Sequence, residues 1–139
     1  MAGTLTVDTL KASSGVLATQ NGMSGVCKAW AQYSVASGGP LTINGSFNVS
    51  SITRIALGTV QVAFTTNMPN INYAVSGGVS AATSTGTYGG VFSPYTNVNA
   101  GAPYYAAPTT SGFYACTAYN PASSTLSDNA YVGFAVFSF

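Results

Sequence analysis

Apolar and polar residues alternate one for one in short runs along most of this chain, and Gly, Pro, Asn and Ser cut each run before a helical period can build up. A period of two sends successive side chains to opposite faces, the pattern of a half-buried strand. Ala29, Ala31, Tyr33 and Val35 alternate with Lys28, Trp30, Gln32 and Ser34, and Val60, Val62 and Phe64 alternate with Thr59, Gln61 and Thr65. Ile71, Tyr73 and Val75 repeat the pattern after Met68-Pro69-Asn70, which predicts a hairpin between 59–66 and 71–77. Phe113, Ala115, Thr117 and Tyr119 mark another strand. The last nine residues, from Tyr131 to Phe139, are apolar on both faces, as a strand inside a sheet would be. No window sustains a helical period of apolar residues at i, i+3, i+4 and i+7, so helix is scarce. The expected fold is an all-β, antiparallel β-sandwich over 27–139.

Residues 1–26 behave differently. After a short strand at 3–8 they carry too little apolar content for a core of their own. They are expected to form an extended N-terminal arm that orders against other copies or a larger assembly, with Leu5, Val7, Leu10, Val16 and Leu17 as its contacts. Between 77 and 111 the alternation also breaks down, over a length unusual for a connection, where about 4–6 residues is the norm. One or two strands, for example at 87–93 and 103–108, joined by exposed loops are expected there, and such loops are where recognition usually sits. Tyr88, Tyr95, Tyr104, Tyr105 and Tyr119 fall in or beside this half, with Asn97, Asn99 and Asn120 close by. As a saccharide site, the rings would meet the C–H faces of sugars while the amides bond their hydroxyls. The competing role is packing between subunits, where tyrosine is enriched. Trp30, a lone tryptophan in an alternating strand, is expected in the core.

Charge narrows the functions. Only 4% of residues are charged, against about 25% in ordinary domains. They are Asp8, Lys11, Lys28, Arg54 and Asp128, with no His or Glu. Three scattered cations cannot neutralise a run of phosphates, so nucleic acid is not an expected partner. No cluster of His, Cys or carboxylates suits a metal, and no acid–base pair suits catalysis, so neither cofactor nor enzymatic activity is expected. Cys27 and Cys116 read as reduced, buried thiols, with a disulfide between them as the alternative that counting leaves open. No apolar run approaches the roughly 20 residues of a spanning helix, and the start does not resemble a secretory signal, so assembly in the cytoplasm without membrane insertion is expected. Asn44-Gly-Ser46 and Asn48-Val-Ser50 match a glycosylation acceptor pattern and are read as turn chemistry. An aromatic strand ending in Phe139 is also how outer-membrane barrels finish, but evenly spaced strands of about ten residues are lacking.

Residues 27–76 carry a more specific pattern. Lys28-Ala-Trp30 is followed by Ser46-Phe47-Asn48-Val-Ser50-Ser-Ile52-Thr53, then by Phe64-Thr-Thr66-Asn-Met68-Pro69, then by Asn72-Tyr73-Ala-Val75. In this order and register the run resembles a repeated module of bacteriophage fibre proteins, and the opening Gly3-Thr-Leu-Thr-Val-Asp-Thr-Leu-Lys11 segment resembles the starts of small virion fibres. The resemblance implies a trimeric knob at the end of a fibre, a virion location, other tail or capsid proteins as partners and a host surface polysaccharide as the target of adsorption. A capsid-attached head fibre, a decoration protein or an internal tail component would need the same parts. Where the module commonly places a polar Asn/Asp-Gly turn, this chain has Arg54-Ile-Ala-Leu-Gly58, which makes Arg54 a candidate inter-subunit contact. The resemblance carries no catalytic residues.

Overall fold

The computed structural model describes residues 26–35, 39–80, 90–99, 102–120 and 125–138. They contain eleven strands and no helix: β1 Cys27–Val35, β2 Leu41–Phe47, β3 Val49–Ala56, β4 Thr59–Phe64, β5 Tyr73–Val79, β6 Val91–Pro94, β7 Thr96–Asn99, β8 Ala102–Tyr105, β9 Gly112–Asn120, β10 Thr125–Leu126 and β11 Val132–Ser138. One sheet runs β2-β1-β11-β5; the other runs β10-β9-β4-β3, with β6 also on β9; β7 and β8 form a separate hairpin. All the pairings are antiparallel. The β-sandwich read from the alternation is the observed fold. The arm at 1–26, with Leu5, Val7, Leu10, Val16 and Leu17, lies outside the described residues apart from Val26.

The alternating residues meet between the sheets. Ala29, Ala31, Tyr33 and Val35 from β1 and Val132, Phe134 and Val136 from β11 pack on Val60, Val62 and Phe64 of β4, Ile52 of β3 and Phe113 and Ala115 of β9. β11 lies between β1 and β5, the interior position its apolar sequence called for. Aromatic rings fill the core edge to face, Phe113 lying 5.3 Å from Phe134 and Phe64 lying 5.7 Å from Tyr73. Gly77 is bare because Phe92 occupies its side-chain space: an added Cβ would sit 2.5 Å from the ring. Phe92 in turn stacks on Phe134.

Four expectations are corrected. β4 and β5 do not form a hairpin: β4 pairs with β3 and β9, and β5 pairs with β11 in the opposite sheet. Met68 is buried and its N–H bonds to Thr110 O, next to the Phe64 N–H bond to Ser111 O, so the segment after β4 stays tied to the β9 side of its own sheet instead of folding back on β4. Trp30 is 43% exposed, because the alternation that sends Ala29 and Ala31 inward sends Trp30 to the outer face. Lys28, expected on the polar face, is buried; the β1–β11 register shifts between Cys27 and Ala29, and a bulge breaks the period of two there. Among the described residues the irregular half holds three short strands, β6, β7 and β8, in place of the one or two expected.

The chain passes from the first sheet to the second at Asn48, whose φ is +54°, in the left-handed region that Asn tolerates. Its side chain fixes the crossing: Nδ2 donates to Lys28 O and Thr66 O, and Oδ1 accepts the Thr66 N–H at 2.7 Å. The Asn48-Val-Ser50 motif is thus turn chemistry, as read.

The phenols of Tyr33 and Tyr73 are buried, and burial is the main cause that pushes both well above their ordinary value, with smaller contributions from Cys116 and Asp128 at Tyr33 and from Tyr95 at Tyr73. In the unfolded chain a phenol loses its proton near pH 10. Above that pH the unfolded state binds fewer protons than the folded one, so stability falls as pH rises. Urea unfolding should therefore show a loss above about pH 10 of up to ~1.4 kcal/mol per pH unit for each phenol. Tyr33→Phe, which removes a hydroxyl with no hydrogen-bond partner among the described residues, should shallow that decline without loss at pH 7. An unchanged alkaline slope in Tyr33→Phe would contradict this account.

Candidate functional site

The loop-half candidates divide. Tyr95 is built into the sandwich: its ring packs on Tyr73 and Phe113, 6.0 and 6.3 Å away, and its hydroxyl donates to Tyr73 O. Tyr73 in turn donates its hydroxyl to Gly112 O at 2.8 Å, so the two tyrosines tie β5 to the start of β9. Tyr95 is therefore a packing residue, held at a φ of +59° by these contacts. Tyr105, at the end of β8, is 72% exposed. Asn97 and Asn99 lie on the backbone of β7, where Asn97 is in register with Tyr104 of β8. Tyr88 lies outside the described residues.

Arg54 sits on β3 and meets Asp128 in the same chain. Nε and Nη2 reach the carboxylate at 3.1 and 2.8 Å, a two-pronged contact. The Asp128 side chain is 2% exposed and that of Arg54 is 30% exposed. The hydrogen bond to Asp128 raises the guanidinium above its ordinary value, so Arg54 is charged at every working pH. Asp128 Oδ1 also accepts the N–H of Gly58 at 3.0 Å. Gly58 O accepts the Thr117 N–H at 2.7 Å, and Thr117 O accepts that of Ser127, so the pairing along β9 passes at Gly58 from β4 to the 125–127 segment. Asn129 Nδ2 donates to Ser127 O, and Asn129 O accepts the Val35 N–H of the opposite sheet. One chain of hydrogen bonds from Arg54 to Val35 thereby joins the two sheets. The chemistry is structural: both charges serve each other within one subunit.

Both cysteines are thiols. Cys116 Sγ lies 3.4 Å from Thr59 Oγ1 and 3.3 Å from Thr96 O; burial pushes it up, against a smaller downward pull from Thr59. A buried thiol of that kind is a poor nucleophile. Among the described residues no group of three or more His, Cys, Asp or Glu could hold a metal, and no helix is long and apolar enough to cross a membrane.

The outer face of the β2-β1-β11-β5 sheet was not singled out by sequence. Register places Phe47, Trp30, Ala135 and Ser76 in one row across it, and Gly45, Gln32, Gly133 and Gly78 in the next. The second row is thus bare backbone except for Gln32. An added Cβ at Gly78 would meet nothing within 4 Å, and at Gly133 only Ala31 O at 4.0 Å. At Gly45 it would meet the edge of the Trp30 indole at 3.5 Å, so the ring leans over β2. Beyond the glycines, Tyr131 O accepts the Ser80 N–H at 2.9 Å, which continues the β5–β11 ladder. Alternation then puts the side chain of Tyr131, 57% exposed, on the same face as Gly133. The Trp30 and Tyr131 rows stand roughly 13 Å apart, four residues at about 3.3 Å each. The signal in the sequence was the phase of the alternation: Trp30 out of phase with Ala29 and Ala31, and Tyr131 and Gly133 out of phase with Val132 and Phe134. No protein-family model, curated protein or solved structure matches the chain.

Proposed function

We propose that the chain is a structural fibre protein of a bacteriophage virion, a homotrimer whose β knob is carried on an N-terminal arm and presented to the host surface, without a catalytic role. The observation that carries this is the order of motifs over 27–76 that resembles the fibre module. The surface fits it. In a single chain, large apolar side chains stand in solvent on the two adjoining edge strands: Ile43 on β2, Ile55 on β3 and Leu57 in the turn after it, 38, 48 and 50% exposed. No charge but Arg54, already paired with Asp128, lies on those strands, so copies of the chain can meet there without desolvating an unpaired ion. Edge strands that stay single are usually blunted by charge or proline. The test is adsorption. Fluorescently labelled full-length chain should bind intact host bacteria and compete with the particle for them. Recovery of the chain in particles with no binding to cells would overturn the adsorption role in favour of a decoration or internal tail component.

A further inference from the structure

We propose that the outer face of the β2-β1-β11-β5 sheet is a groove for a neutral glycan, with Trp30 and Tyr131 as its walls, Gly78 and Gly133 as its floor and Gln32 as its hydrogen-bonding amide. The inference rests on the adsorption role but places recognition on a sheet face and not in the loops. Three features select the ligand. First, β1 and β11 are interior strands, paired on both sides, so their backbone has no free row of donors to take up an extended peptide. Whatever binds must be read by ring faces and side chains. Secondly, two exposed aromatic side chains flank a strip whose glycines leave the backbone open to close approach. A pyranose suits this strip: its apolar C–H face stacks on indole or phenol, and its rim of hydroxyls meets the Gln32 amide and the Ser76 hydroxyl. Thirdly, neither row carries a charged residue, Arg54 is held by Asp128, and Lys28 is buried, so an acidic sugar would lose its hydration with no exposed cation among the described residues of this face to replace it.

Trp30 is the chain's one tryptophan, so its emission reports on this face directly. Titration of the full-length protein with neutral linear gluco-, galacto- and manno-oligosaccharides should shift that emission for at least one of them, and polysialic acid should not. Gly78→Val adds a side chain where nothing stands, so it should fold normally, fill the groove and weaken binding by about tenfold or more. By calorimetry Trp30→Ala should lose binding to a similar extent, and Trp30→Phe should recover part of it. Polysialic acid binding in place of neutral sugar, no neutral sugar shifting the emission, unchanged binding by a folded Gly78→Val variant, or an emission that follows protein concentration instead of sugar would each overturn the groove, the last by showing that a second copy covers this face. Failure of the groove is separable from failure of adsorption. If labelled wild type and Gly78→Val coat cells equally, the groove is wrong and adsorption stands; if sugar binds as expected but neither protein coats cells, the groove stands and adsorption falls.

Discussion

Gly58→Val should damage the knob severely, lowering the unfolding free energy by about 4 kcal/mol or more and leaving little folded protein at 37 °C. Gly58 has a φ of +62°, a conformation that a β-branched residue adopts only under strain. An added Cβ would stand 2.6 Å from Thr117 O and 2.7 Å from Ser127 N, and both are backbone atoms that cannot swing aside. Relief requires opening the point where β9 passes from β4 to the 125–127 segment, with loss of the Gly58 bonds to Asp128 and Thr117. Urea unfolding measures the effect, and Gly78→Val is the matched control: the same side chain at an open position should change stability by less than about 1 kcal/mol. Equal stabilities for the two variants would refute the placement of Gly58.

Asp128→Ala should cost less, about 3 kcal/mol. The carboxylate is nearly inaccessible, and its removal leaves the buried Gly58 N–H without that acceptor and Arg54 without its counter-ion. Asp128→Asn keeps the shape and an oxygen for the Gly58 N–H, so it should cost clearly less. Arg54→Met should also destabilise, because it strips the guanidinium from a carboxylate that water barely reaches. The double variant Arg54→Met/Asp128→Ala should lose less than the sum of the singles, the signature of a coupled pair. Additive losses would mean that the two side chains act independently.

The sandwich was legible because its signal is local. Ala29, Ala31, Tyr33 and Val35, and Val60, Val62 and Phe64, declare an inner face by period alone, and the C-terminal strand declares its interior position by having no polar face. Partner choice was not legible. Met68-Pro69-Asn70 has the composition of a hairpin turn, yet the Met68 contact that holds the segment beside β9, with Thr110, joins residues 42 positions apart, and β5 pairs with β11 in the other sheet. The Arg54–Asp128 pair spans 74 positions and left no mark beyond the scarcity of charge that made both residues conspicuous. Trp30 shows the reverse case: residue type argued for burial, phase argued for the outer face, and phase won. Tyr95 and Tyr105 are the same residue type in one segment, and only the sheet geometry separates a core ring from an exposed one.

Under the proposed trimer, low charge and the exposed apolar side chains on β2, on β3 and in the turn after it mark the surface where copies of the chain meet. Sedimentation velocity or native mass measurement of the full chain tests it most directly. The expected result is a single species of three times the 14.0 kDa chain mass, and Ile55→Lys with Leu57→Lys should shift it toward monomer without unfolding the knob. A stable monomer at all concentrations, with Ile43, Ile55 and Leu57 still in solvent, would contradict it.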